Sequence, residues 1–488
     1  MKCVARPWAP CAAAYLIAGI VALSFAHDLM RKPIQVSDSL QELLDVQQSP
    51  SLWATFVAHS PRGPFLRPLK QVQTKVLFDI AAGHYWLVFR GFHALLIAAA
   101  LFLFTRALRV RTWTDAAAAV FALTVFTGLH TFRGLIREAF PINLYLESVL
   151  GCLIVLNLAQ ARGSAWTDVA AAVTFVIASL TVESGVLVWV VVVAAWACGM
   201  RGVTWRGVSA VTLLLAAYLG ARFALSIATP GLDVGRDSGF GTRMLETGEL
   251  ARRFGEHPVW FYVYNVGTSI LSVLFSDPDR GVFHTVRTWL QGEFPARLYL
   301  PVVTSAITTS LIVFVGVTRW RGRAPEMPAS STQLFSIFGA VLIANAVVSY
   351  AYTKHEIISV AGAFYAFAAY VAVRHAIEIG GPHNGPGGPK ASGYQVGALG
   401  RAALCVLLGA LACAWAFRSA GVHHMLQTQA FRERVEWARL DPERIAERGY
   451  PSDAPARVLT AQLRREALDL RIANTNEVPA WADDWWGE

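Results

Sequence analysis

HDLMRKPIQVSDSLQELLDVQQSPSLWATFVAHSPRGPFLRPLKQVQTKVLFDIAAGH, residues 27–84, separates the first apolar run of the chain from the second. It carries Asp38, Glu42 and Asp45, then Phe65-Leu66-Arg67-Pro68-Leu69-Lys70, and finally Phe78-Asp79 before Tyr85-Trp86 reopens apolar sequence. Two helices that only cross a bilayer in succession need a short connection. A polar insertion of this length implies structure, and chemistry, beside the membrane.

Outward from that loop the chain is apolar. It has 488 residues, 55% hydrophobic and 15% charged, with a mean hydropathy of +0.44. Runs long enough or nearly long enough to cross lie at 11–27, 85–105, 115–129, 143–160, 167–182, 185–200, 208–227, 299–317, 334–351, 357–373 and 398–417, which predicts an all-α polytopic membrane protein of about eleven transmembrane helices. The alternating ten-residue segments of a membrane barrel are absent. The net charge of +9 comes without a basic tract, so the cations report orientation rather than nucleic-acid binding.

Short arginine-rich loops stay cytoplasmic, which assigns to that side Lys2 and Arg6, Arg106 with Arg109 and Arg111, Arg162, Arg201 with Arg206, and Arg319 with Arg321 and Arg323. Arg31 and Lys32 count against the scheme but are outvoted. The N-terminus is then cytoplasmic, and residues 28–84, 130–142, 228–298, 352–356 and 418–488 face outward. Val259 to Phe275 would break this parity if it crossed, so it is expected to lie in the outer interface, which Trp260, Tyr262 and Tyr264 suit. The first run could be a cleaved signal peptide, with Ser24-Phe25-Ala26 as the cleavage context; a retained anchor fits better, because further spans follow. No cysteine falls in an outer loop, and no CxxC pair suggests a metal. The organisation expected is a transmembrane domain over 1–417, with outer loops 28–84 and 228–298, and a small extracytoplasmic helical tail over 418–488. A Gly/Pro-rich stretch at 380–390 reads as a linker.

Four polar groups on the outer side could carry chemistry: Asp38; His130 with Arg133, Arg137 and Glu138; Glu183; and Lys354-His355-Glu356. Each has an ordinary alternative. A loop acid is usually just solvated, Lys354 could snorkel at a span end, Arg67 could brace its loop, Arg133 and Arg137 could hold anionic lipid headgroups, and His130 could cap a helix. Glu183 could sit protonated against a neighbouring span. No HxxxH or HExxH pattern supports zinc, and no phosphate-loop lysine appears.

In order along the chain, one span, an early loop acid, Arg67-Pro68-Leu69 leading through Phe78-Asp79 into Phe92-His93-Ala94-Leu95, His130 closing the third span, Ser179-Leu180-Thr181-Val182-Glu183 ending the fifth and 352–363 opening the tenth resemble the multispan GT-C glycosyltransferases. The likeness runs over most of residues 1–373. It implies an integral membrane enzyme that moves a sugar from a polyprenyl-phosphate donor to a glycan, lipid or protein acceptor with inversion; the arginine-rich, alanine-rich composition without outer cysteines fits a bacterial inner membrane, and no cofactor is expected, a divalent metal being possible but unsupported. Asp38 would be the general base. Relatives often carry a paired acid where this chain has Ser37-Asp38-Ser39, which leaves Glu42 and Asp45 as substitutes. Lys354, helped by His355, would stabilise the leaving phosphate, with Arg67 and Arg137 in reserve and Arg133, Glu183 and His130 beside the substrate. The rival class is a transporter or flippase of a lipid-linked or anionic solute, which would place its charges near the midplane in broken helices. A third is a non-catalytic scaffold that presents the tail.

Overall fold

The computed structural model describes residues 8–59, 66–137, 141–228, 238–240, 243–245, 247–255, 259–276, 282–321, 329–380, 398–443, 445–472 and 480–486. Glu138, Arg323 and the Gly/Pro-rich residues 381–390 lie outside them. Apart from a hairpin of Ser238–Phe240 and Arg243–Leu245, every regular element is a helix. The first half holds α1 (Ala9–Leu29), α2 (Asp38–Gln48), α3 (Leu52–His59), α4 (Pro68–Ala81), α5 (Tyr85–Leu108), α6 (Trp113–Gly128), α7 (His130–Arg137), α8 (Leu144–Ala159), α9 (Ala165–Thr181), a 3-10 turn at Glu183–Val186, α10 (Leu187–Ala197) and α11 (Trp205–Ala228). The second holds α12 (Thr247–Phe254), α13 (Val259–Phe275), α14 (Val282–Leu290), α15 (Ala296–Trp320), α16 (Ala329–Val348), α17 (Ser359–Gly380), α18 (Ala398–Arg439), α19 (Ala454–Asp469) and α20 (Ala480–Trp486).

Six of these, α1, α5, α15, α16, α17 and α18, are long and apolar enough to cross a membrane, and up to eight cross if α6 with α7 and α12 with α13 each form one bent span. By length and composition six to eight of the described helices qualify, which does not reach the expected eleven. Of the expected crossings, α8, α9 and Glu183–Ala197 are apolar but shorter and α11 is not among the candidates, whereas the α12–α13 pair, not expected to cross, is. The helix at Val259–Phe275 forms as expected, with Trp260 83% exposed. Its opposite face leans on α15 and α16, where Asn265 Nδ2 donates to the Tyr350 carbonyl at 2.9 Å and Ser269 and Thr353 share a hydrogen bond of 2.9 Å.

At the centre stands α17, whose membrane-length window is 89% buried. Its sequence SVAGAFYAFAAYVAVRHAIEIG is half alanine and glycine in the stretch that meets α6, α7, α15 and α16. Small side chains let backbones approach where lipid supplies no hydrophobic drive. At Gly362 the approach is close, for a Cβ there would overlap the Thr131 hydroxyl. Helix starts are capped locally: Thr112 with Asp115 and Ser164 with Thr167 form capping boxes, and the Asn143 side chain accepts from Leu146 N, which satisfies amides that the helix leaves open.

The loops divide between two ends. At one, Asp115 accepts from the amides of Arg111 and Thr112 and pairs with Arg374 at 2.9 Å. At the same end Arg109 holds Gln160, and Asp168 accepts from Thr204. These are the arginine-bearing connections expected on a single side. Lys32, which counted against that scheme, is 3% exposed at the other end. Its ammonium donates to the Arg137 carbonyl at 2.9 Å and to Gln429 Oε1 at 3.1 Å, while Arg90 donates to the Lys32 carbonyl. A cation consumed in this way by internal acceptors carries no topological message.

The division expected at residue 417 falls inside α18, a single helix of 42 residues. Beyond the bundle it joins α19 in a second core, where Trp437, Leu440, Ile445, Leu459 and Leu463 pack on Ile34, Val36, Leu40, Leu43 and Leu44. Trp437 Nε1 donates to the Ile34 carbonyl at 2.6 Å, Tyr450 to the Val36 carbonyl at 3.2 Å, and Trp86 N to Glu466 Oε2 at 2.9 Å. The first loop and the tail are therefore one packed unit. Trp437→Ala should cost about 3–5 kcal/mol, the usual loss for a buried tryptophan, and limited proteolysis should then cut within residues 28–84 before it cuts the bundle.

Candidate functional site

The polar end of the bundle gathers side chains from distant parts of the chain. Pro68 starts α4, and the preceding Arg67 lies outside the helical conformation, at φ −127° and ψ 48°. Its guanidinium meets Glu183, which opens the 3-10 turn after α9, with Nε to Oε2 at 2.9 Å, Nε to Oε1 at 3.1 Å and Nη2 to Oε2 at 2.5 Å. Arg222 of α11 approaches the other carboxylate oxygen at 3.5 Å and donates to Tyr218 Oη. Burial works against the Arg67 charge, but the Glu183 carboxylate outweighs it and holds the guanidinium above its usual range.

Tyr145 sits within electrostatic reach of this pair and also of Lys354 and Glu356. Lys354 Nζ lies 3.5 Å from Glu356 Oε1 and 5.2 Å from the centre of the Tyr352 ring. Burial pushes the Glu356 carboxyl up, and Lys354 pulls it back in part. One turn into α8, Glu147 accepts from Gln73 at 2.9 Å, and Gln73 also reaches Thr181 at 3.2 Å. Gly134 of α7 lets the 355–356 backbone press close, since a Cβ there would come within 3.0 Å of His355 and Glu356.

Glu42 faces Lys70 across α2 and α4 in a short ion pair. Desolvation raises the Glu42 carboxyl despite that lysine, and its second oxygen, Oε2, has no hydrogen-bond partner. Asp38, one turn earlier, is exposed at the first position of α2. It acts electrostatically on Glu42 and on Tyr450, and no contact joins it to Lys354. Asp45 accepts from Gln41 at 2.9 Å.

The expected residues thus fall into groups. Arg67 and Glu183 meet directly, Lys354 pairs with Glu356, and Arg137 lies within electrostatic range of Glu356. His355 stacks edge to face on His130 at 4.5 Å between ring centres. Arg133 lines a separate cleft with His130, at the 58° bend between α6 and α7. Arg222, Tyr218, Tyr145 and Glu147 were not anticipated. A signal existed for Arg222, an arginine within an otherwise apolar run, which is costly in lipid unless it is paired or facing a cavity. Among the described residues no three His, Cys, Asp or Glu side chains group as metal ligands.

Comparison with known proteins finds no significant match: no family model, no curated protein and no solved structure is similar to the chain.

Such an end can hold an anion and accept a proton on a neighbouring carboxylate. Two outcomes test the electrostatics. Arg67→Ala leaves Glu183 with only the longer Arg222 contact and should cost about 1.5–3 kcal/mol, the range for hydrogen bonds to charged groups, because the pair is part-buried, with Arg222→Ala costing less; denaturation of the purified variants measures both. Because Glu42 holds its proton to higher pH folded than unfolded, native stability should be full below the ordinary carboxylate range near 4.5 and decline as pH rises above it. Thermal unfolding from pH 4 to 7 should lose part of that slope in Glu42→Gln.

Proposed function

We propose that the protein is a glycosyltransferase that moves a sugar from a polyprenyl-phosphate donor to an acceptor hydroxyl at the end of the bundle where the first loop packs. The observation that carries this reading is the Arg67–Glu183 pair, joined by three hydrogen bonds, with Lys354 on Glu356, at the end of the bundle that also bears the carboxylates of α2. A donor of this kind needs a cation for its phosphate and a carboxylate for the attacking hydroxyl, and both types occur here at one end.

In the proposed reaction the acceptor oxygen bonds to the anomeric carbon as its proton passes to a carboxylate of α2, and the bond from that carbon to the phosphate oxygen breaks. The sugar inverts and polyprenyl phosphate leaves. Lys354, 40% exposed in its side chain, balances the charge on the departing phosphate, with His355 and Arg137 close by, while Glu183 fixes Arg67 toward Tyr145. Asp38 is the base of this proposal. Glu42, on the same face one turn later with an unpartnered oxygen, is its alternative.

The same reading takes α1, α5, α6, α8, α9, α10, α11, α15, α16, α17 and α18 as eleven crossings of a bacterial inner membrane, N-terminus inside, with the clustered end and the tail outside. The acceptor would enter from the envelope and the donor from the lipid.

Purified protein given a panel of polyprenyl-phosphate sugars tests the proposal. Transfer by the parent protein is expected, with a loss of about 10²–10⁴-fold, the size of a general-base contribution, in Asp38→Asn and retained donor binding. The same loss in Glu42→Gln alone moves the base along the helix. Full activity in both removes α2 from the chemistry. Absence of transfer with every donor, together with flipping of the lipid in vesicles, reassigns the protein to the transporter class.

A further inference from the structure

Arg418 lies in the middle of α18, 7% exposed and without a carboxylate partner. Its guanidinium stacks 3.9 Å from the Trp415 ring centre and donates to Thr304 Oγ1 at 2.7 Å, to Ser305 Oγ at 2.9 Å, to the Pro301 carbonyl at 3.1 Å and to Ser276 Oγ. All of these acceptors are neutral. A buried cation balanced only by dipoles is costly unless another charge completes it.

Beside it opens a cleft of about 550 Å³, partly continuous with the surroundings, lined by Arg133, Arg297, Arg418, His130, Trp485 and Trp486 together with Leu129, Leu300 and Val422. No acid lines it. Arg297 is exposed and makes no ion pair or hydrogen bond among the described residues. Ser276 Oγ accepts from Arg418 and from the His130 amide, which uses both of its lone pairs, so its single hydrogen goes to His130 Nδ1, 2.9 Å away, and the neutral ring then carries its proton on Nε2. That buried Nε2 has no partner, and neither does Trp486 Nε1. The cleft therefore offers the Arg297 guanidinium and two N–H donors, His130 Nε2 and Trp486 Nε1, with no acceptor among the described residues to receive them. Part of its wall is leucine, valine and tryptophan.

We propose that this cleft binds the phosphate of an anionic membrane lipid, its oxygens taking the N–H groups of His130, Trp486 and the arginines while the acyl chains run along the apolar wall. The site lies apart from the Arg67, Glu183 and Tyr145 cluster, and it stands whether or not the protein transfers sugar. It reaches that cluster through His130, whose ring meets His355.

The test uses the full-length protein in a neutral detergent, titrated with short-chain phosphatidic acid, short-chain diacylglycerol and inorganic phosphate, and read by tryptophan fluorescence and by native mass spectrometry. Saturable binding of phosphatidic acid is expected, weakening as salt rises. Diacylglycerol should bind at least tenfold more weakly, and inorganic phosphate should compete only at much higher concentration. Arg297→Gln, an exposed change with no internal partner to strand, should weaken phosphatidic acid binding about tenfold, and Trp486→Phe severalfold, with thermal stability of the apo protein unchanged in Arg297→Gln. Equal binding of phosphatidic acid and diacylglycerol, equal potency of inorganic phosphate, or parental affinity in Arg297→Gln overturns the assignment.

Discussion

The close approach of backbones along α17 is the constraint on which the rest of the molecule depends. A helix whose buried positions alternate seven alanines and Gly362 with Phe364, Tyr365, Phe367 and Tyr370 brings neighbouring backbones near at the small residues, and near packing in turn fixes where each neighbouring helix ends. The segment before α17 carries Lys354, His355 and Glu356. Gly134 and Gly362 set α7 against that segment and against α17 itself. A larger side chain at either glycine would displace the short helix that bears His130, Arg133 and Arg137.

Once those ends are fixed, burial dictates pairing. Charged groups withdrawn from water are tolerated where a partner offsets the lost hydration, and the polar end is assembled on that rule: Glu183 between Arg67 and Arg222, Lys70 on Glu42, Glu356 on Lys354. Where a partner is missing, as at Arg418, neutral hydroxyls and a carbonyl take its place. The sharp turn at Leu129 follows the same logic. The chain leaves the helix there in an extended conformation, and the freed amide of His130 is met by Ser276 at 3.4 Å, a side chain standing in for the ladder.

Much of the architecture could be read from apolar run lengths, because a span must hide its backbone polar groups whatever its neighbours are. The long helices and the interruption at residues 27–84 follow from that alone. What sequence could not convey was pairing at a distance. Arg67 and Glu183 were each singled out, yet nothing local joins residues 116 positions apart. Lys32 looked like a topological anomaly because its acceptors, the Arg137 carbonyl and Gln429, come from other elements. Arg418 looked like the first residue of a tail because it ends an apolar run, whereas the helix continues and tertiary packing hides the cation. Glu147 and Arg222 were overlooked inside runs counted only for their hydrophobicity.

The length of α18 has a mechanical consequence. Forty-two residues at 1.5 Å each make a rod of about 63 Å, roughly twice the hydrocarbon thickness of a bilayer. Its middle packs among the other helices through Trp415, Val422 and Leu426, and the far end is bolted by Trp437 to the loop that follows α1. The height of the outlying core over the rest of the protein is thus set by a rigid stanchion and not by the lipid, so bilayers of different thickness change how deeply the whole body rides while leaving the distance between its two cores the same.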